Sequence, residues 1–122
     1  GKPTLKVNYR DDLVGNGSNG VIHGGVITSL VDTTSALSVF SHLDSAEAMA
    51  TLDLRIDYLK AATPGLPIYC TAECYKLARQ IGFTRAVCHH GDPADPIAHG
   101  VATFMRGSSN AILGGDATGA PL

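Results

Sequence analysis

A chain of 122 residues, 44% hydrophobic and with a formal net charge of −2, fits one domain that buries roughly two thirds of its unfolded surface. It carries no basic stripe for nucleic acid, no acidic tail, and no apolar run near the roughly 20 residues that cross a bilayer. Cys70, Cys74 and Cys88 make an odd count, which reads as buried free thiols in a reducing compartment.

Gly1-Lys2-Pro3 shows no signal-peptide pattern and leads into a strand-like stretch, so the expected setting is cytoplasmic. Leu5 to Tyr9 alternates and predicts a first strand. Arg10 to Gly20 reads as a loop, with Gly15, Asn16, Gly17, Ser18, Asn19 and Gly20 as turn chemistry. Roughly Gly24 to Ser41 predicts a helix. Val26, Ile27, Leu30, Val31, Thr34 and Leu37 form its apolar stripe. Gly25, Ser29, Asp32 and Ala36 lie on another side.

From Met49 the period changes to two. Leu52, Leu54, Ile56 and Tyr58 alternate with Asp53, Arg55 and Asp57, which predicts a long half-buried strand. Pro64-Gly65 marks a turn. Ile68, Cys70, Ala72 and Cys74 form one side of the next strand. Another runs from about Ile81 to His90, and Gly91-Asp92-Pro93-Ala94-Asp95-Pro96 is a strong turn. The last runs from about Ile97 to Met105. The tail from about Gly107 is rich in Gly, Ser and Ala and reads as loose, at the end of a single domain over 1–122. The order is a strand, a long helix and four antiparallel strands, a two-layer α+β domain. The helix covers one sheet face, and two sheets joined edge to edge would hide exposed edges.

The helix entrance carries the strongest functional signal. Gly24 and Gly25 follow His23, although glycine is about 1 kcal/mol worse than alanine inside a helix. Two glycines there let something approach the backbone, at the end of the helix that favours negative charge. Asp32 lies nine residues after His23, too far in to cap the helix. Asp32 is expected to be buried, and a buried carboxylate in an apolar helix is rare unless paired or used.

These residues resemble a known family. His23-Gly24-Gly25 opening a helix, Asp32 at its spacing, the strand Thr51-Leu52-Asp53-Leu54-Arg55-Ile56-Asp57-Tyr58-Leu59-Lys60-Ala61 and the late IAHGVATFMRG run are similar to the hotdog-fold acyl-CoA thioesterases. The nearest branch is the phenylacetate-pathway type of the 4-hydroxybenzoyl-CoA thioesterase superfamily. The resemblance covers about Leu13 to Met105. It implies an antiparallel sheet wrapped around one long central helix. It also implies a homodimer with active sites at the interface, and a dimer of dimers as the common assembly.

The resemblance further implies an acyl-CoA substrate hydrolysed to free acid and CoA. Asp32 would be general base or nucleophile, and the Gly24 amide the oxyanion donor, with help from Gly25 or Asn16. Thr51 matches a hydroxyl that orients water, though threonine is also an ordinary strand residue. His23 would position the thioester or fix the loop. Relatives carry an Asn six residues before the His. Here that position is Gly17, and Asn16, one residue earlier, replaces it in preference to Asn19. Lys76, Arg79 and Arg85 are candidate contacts for the CoA phosphates; solvated surface charge is the plainer reading of them.

His89, His90, His99 and Cys88 lack paired metal-ligand spacing, and successive strand residues face opposite ways. No metal and no cofactor is expected. The absence of a GxSxG elbow argues against a serine hydrolase. Two rivals remain: a hotdog acyl-thioester dehydratase or hydratase, and a non-catalytic acyl-CoA-binding module. The acyl group is not legible, because pocket depth depends on how Phe40, Tyr58, Leu59 and the loop before His23 pack across two subunits.

Overall fold

The computed structural model describes residues 2–16, 20–22, 24–45 and 47–107. The tail beyond Gly107, His23, Gly17 and Asn19 lie outside the described residues. In chain order the elements are β1 (Thr4–Val7), a 3₁₀ turn (Asp11–Leu13), β2 (Val14–Asn16), β3 (Val21–Ile22), α1 (Gly24–Phe40), β4 (Met49–Tyr58), β5 (Ile68–Leu77), β6 (Ile81–His89) and β7 (Pro96–Arg106). The main sheet has the order β1-β5-β6-β7-β4, and each neighbouring pair is antiparallel. The one α-helix among the described residues packs on one face of it, which is the hotdog fold.

Two local differences from the sequence reading stand out. The first strand ends at Val7 rather than Tyr9. The stretch read as loop contains the short antiparallel ribbon β2–β3. β1 stops where its partner does: Val7 pairs with Ile68, the first residue of β5, and Pro67 before it has no N–H to give; the Tyr9 hydroxyl donates instead to the Gly20 carbonyl at 3.0 Å. The turns form where glycine and proline place them. Gly65 sits at φ 85°, and Leu66 N–H reaches Thr63 O at 3.4 Å. Asp92 Oδ1 accepts from Ala94 N–H at 3.0 Å, an Asx turn of the type aspartate favours.

The helix buries Ile27, Leu30, Val31, Thr34, Ser35, Ser38 and Val39. Leu37, expected on the buried stripe, is 38% exposed. The interior line runs through Val31, Thr34 and Ser38, so Leu37 falls on the flank. Small hydroxyl residues take the interior because the helix sits close to the sheet. Two of the three satisfy their polarity within the helix: Thr34 donates to Leu30 O at 2.7 Å and Ser38 to Ser35 O at 2.6 Å, whereas the buried Ser35 Oγ has no hydrogen-bond partner among the described residues.

The close approach has a cause in the sheet. Ala72, Ala86 and Gly100 are cross-strand neighbours, followed by Ile56, and they form a row of small residues beneath α1. A Cβ on Gly100 would stand 2.6 Å from Val31 Cγ1. No side chain fits there without displacing Val31 or the helix that carries it.

The edge strand β4 holds a second device. Thr51 pairs with Phe104 and Asp53 with Thr103, so Leu52 is the extra residue of a β-bulge. Leu52 was expected on the inner side; it is 48% exposed. The bulge changes the parity of the strand. Leu54, Ile56 and Tyr58 face the helix after it, and Met49 and Thr51 face the helix before it.

Cys70 and Cys88 are register partners beneath the helix. Both are buried free thiols. The Cys88 thiol is pushed up by its contact with Cys70 and by burial, so it stays protonated and inert. On the other face His89 stacks on Tyr69, with ring centroids 5.8 Å apart. Its Nδ1 accepts from Gly91 N–H at 3.0 Å, which requires the neutral ring. His90 Nε2 accepts from Thr63 N–H at 2.8 Å, and its Nδ1 lies 2.9 Å from Pro67 O. Both imidazoles hold loops in place.

Gly100→Ala is expected to lower unfolding stability by about 1–3 kcal/mol, the usual cost of overpacking. Urea denaturation measures it, and adding Val31→Ala should cost less than the two single changes summed. A pH effect follows from His89, whose pKa is lowered chiefly by burial. The unfolded chain takes up this proton near pH 6.5, where the folded chain resists it. Stability therefore falls as pH drops below about 6.5, and His89→Gln should flatten that slope in urea titrations from pH 7 to pH 5.

Candidate active site

The site begins with the parity change in β4. It turns Thr51 toward α1, where the Thr51 hydroxyl donates to Asp32 Oδ1 at 2.9 Å. Asp32 is half-buried on the flank of the helix nearest β4. It was expected to be buried. In a single chain this flank stays partly open, because β4 is the last strand of the sheet. Among the described residues Asp32 belongs to none of the ion pairs.

Gly24 and Gly25 are exposed at the start of α1, and its first turn contains no acidic residue. The first turn of a helix carries N–H groups that have no acceptor within the helix, at the positive end of its dipole. Gly24 does not have a left-handed φ. A Cβ added there would meet only Tyr58, at 3.5 Å from the hydroxyl oxygen, an ordinary contact distance. Nothing within the described chain thus demands a glycine at position 24.

Tyr58 is the neighbour that the sequence reading undervalued, counting it only as a possible pocket wall. Its hydroxyl donates to Gly24 O at 3.1 Å and lies 3.2 Å from Thr28 Oγ1. The available signal was its phase: Tyr58 alternates with Leu54 and Ile56 on the helix-facing side of β4.

The other predicted residues distribute differently. Asn16 pairs through its backbone with Val21 in the β2–β3 ribbon, which leads toward the helix start; its side chain and His23 lie outside the described residues. Arg85 is on the sheet face away from the helix. It pairs with Glu73 at 3.3 Å and lies over the Tyr75 ring at 4.4 Å. Lys76 and Arg79 are exposed near the β5–β6 turn. That turn sits at the far end of α1, where Gly82 lies against Val39. The structure brings Thr51 to Asp32 and Tyr58 to Gly24, and gathers none of the three cations there.

A groove of about 710 Å³ opens beside Gly25 and Ser29 and runs along α1 toward Leu5, Val7 and Leu13. No helix among the described residues is long and apolar enough to cross a membrane.

The chain is similar to known proteins. The family model described as the thioesterase superfamily matches residues 19–97. A medium/long-chain acyl-CoA thioesterase, YigI, from Salmonella typhimurium is 31% identical over 116 residues, covering 84% of this chain and 74% of that protein. A crystal structure of a Pseudomonas aeruginosa protein is 46% identical with a TM-score of 0.77, covering 84% of this chain and 76% of that one. A Bacillus halodurans protein solved with CoA shares the fold, with a TM-score of 0.73 and 23% identity over 84% of this chain and 66% of that one.

Proposed function

We propose a mechanism for a chain that belongs to the thioesterase superfamily and hydrolyses thioesters: Asp32 activates water, and the mouth of α1 holds the carbonyl oxygen of an acyl-CoA. The observation that carries this reading is the bond from Thr51 to Asp32. It fixes one carboxylate oxygen and leaves the other for water.

The step balances simply. Asp32 takes a proton from water as the oxygen attacks the thioester carbonyl carbon. The carbonyl electron pair moves onto oxygen, where the Gly24 amide and the helix dipole stabilise it. When the carbon–oxygen double bond re-forms, the C–S bond breaks. CoA leaves as a thiolate and takes the proton held by Asp32, giving a free acid and a thiol. General-base assistance is typically worth about 10²–10⁴ in rate. A preorganised oxyanion donor contributes about 3 kcal/mol.

The glycine at position 24 supports the second part. With no clash inside the chain, its missing side chain makes sense as room for a ligand at the backbone. Asn16, His23 and Gly25 are assigned supporting contacts at the same mouth, and Lys76, Arg79 and Arg85 contacts to the CoA phosphates. The CoA-bound Bacillus halodurans structure and the acyl-CoA relative support an acyl-CoA substrate. The ten-residue edge of β4 supports a homodimer in which two such edges join, with Asp32 of one protomer facing the helix mouth of its mate. The free cysteines fit a reducing cytoplasm.

Asp32→Asn is expected to lower kcat at least about 100-fold on a panel of acyl-CoAs followed by thiol release. Turnover within about threefold of the parent removes Asp32 from the mechanism. Gly24→Ala should be as stable as the parent or up to about 1 kcal/mol more stable. Its kcat should nevertheless drop at least about tenfold, so melting and turnover measured on one preparation separate the roles.

A further inference from the structure

On the other flank of α1 from Asp32 lies the groove of about 710 Å³, within the range of about 300–1,000 Å³ usual for small-molecule sites. The helix forms one wall, and β1 with the 3₁₀ turn forms the other. Leu5, Val7, Leu13, Val26 and Leu30 line it, and all but Leu30 are only half-buried. The chain therefore leaves an aliphatic strip uncovered beside the helix mouth. β1 is the edge of the sheet opposite β4, so a dimer joined through β4 leaves this strip open as well.

We propose that the groove holds the acyl chain of the substrate, and that Ser29 and Thr33 set how long a chain is accepted. The inference rests on reading the helix mouth as the thioester site. Gly25, Ser29 and Thr33 line the groove at four-residue steps, the spacing that puts side chains in one row along a helix. At 1.5 Å per residue this row runs about 12 Å from Gly25 to Thr33. An extended alkyl chain advances about 1.25 Å per carbon, from a C–C bond of about 1.5 Å. About ten carbons thus reach Thr33, and Ser29 stands beside about the fifth.

The other arm of an acyl-CoA suits these walls less. Pantetheine carries amides, and an amide placed against aliphatic side chains without a partner costs affinity. The two cations at the rim are engaged: Arg10 pairs with Asp12, and the Lys6 ammonium lies over the Tyr69 ring at 5.7 Å. Neither is held ready for a CoA phosphate. An alkyl chain gains about fourfold in binding for each methylene withdrawn from water. The arrangement also keeps base and chain apart. In the proposed dimer Asp32 of the mate comes to the mouth from the β4 side, and the acyl chain leaves along the β1 side.

The test is the profile of kcat/KM for straight-chain acyl-CoAs from acetyl to palmitoyl, followed by thiol release. In the parent it should climb with each methylene and level off at about ten carbons. Ser29→Phe should bring that break down to about five carbons and cut kcat/KM for decanoyl-CoA at least about 100-fold. Turnover of the shortest substrates and the melting temperature should be unchanged. Thr33→Phe should move the break only to about eight carbons. Ser29→Leu repeats the test with a smaller side chain if Ser29→Phe does not fold. Inhibition by free CoA reads the pantetheine arm and should be the same in every variant. An unmoved break overturns the proposal, as does an equal loss at every chain length or a weakened hold on CoA. Failure of the wider mechanism is seen separately, as retained turnover in Asp32→Asn, where the chain-length break is still read.

Discussion

One extra residue in an edge strand organises this site. Side chains on a strand alternate strictly, so an unbroken β4 that buries Leu54 and Ile56 would turn Thr51 away from the helix. The bulge at Leu52 shifts the parity. It leaves Leu54 and Ile56 in the core, keeps Tyr58 against the helix start, and brings the Thr51 hydroxyl onto Asp32. Bulges are favoured near edges and active sites because they re-aim a side chain without undoing the sheet. Here the cost is an exposed Leu52 on a strand with one open side.

The second constraint is the closeness of helix and sheet. Gly100, with Ala72 and Ala86 beside it in register, makes a shallow bed for Val31. Buried Thr34, Ser35 and Ser38 keep the facing helix surface thin. Because the helix cannot slide or lift over such a bed without opening a void or a clash, residues on its flank inherit fixed positions. Asp32 and Gly24 are placed by this contact, and the two β4 hydroxyls then refine what the packing has set.

Much of this was legible from residues alone. Alternation and turn chemistry give the four long strands and their joins, because a period of two and a left-handed glycine are local properties. The helix bounds, the glycine pair and the acid on the helix were visible for the same reason, whereas Thr51 was singled out only by the family resemblance. Leu37 was misjudged, since helical periodicity locates an apolar stripe but not the line of closest contact. Leu52 was misjudged because the extra residue of a bulge shows only against its partner strand.

The sequence by itself determined the helix and the long strands, that one helix must cover one sheet face, and that a bare helix start and a carboxylate share that helix. These follow from local geometry and from the need to bury an apolar side. Only the tertiary structure decided which hydroxyls reach them. The pairing of Thr51 with Asp32 and of Tyr58 with Gly24 depends on strand register, on a parity change in β4 and on the depth at which Val31 settles over Gly100. All three are set by contacts between residues distant along the chain, and no local pattern encodes them.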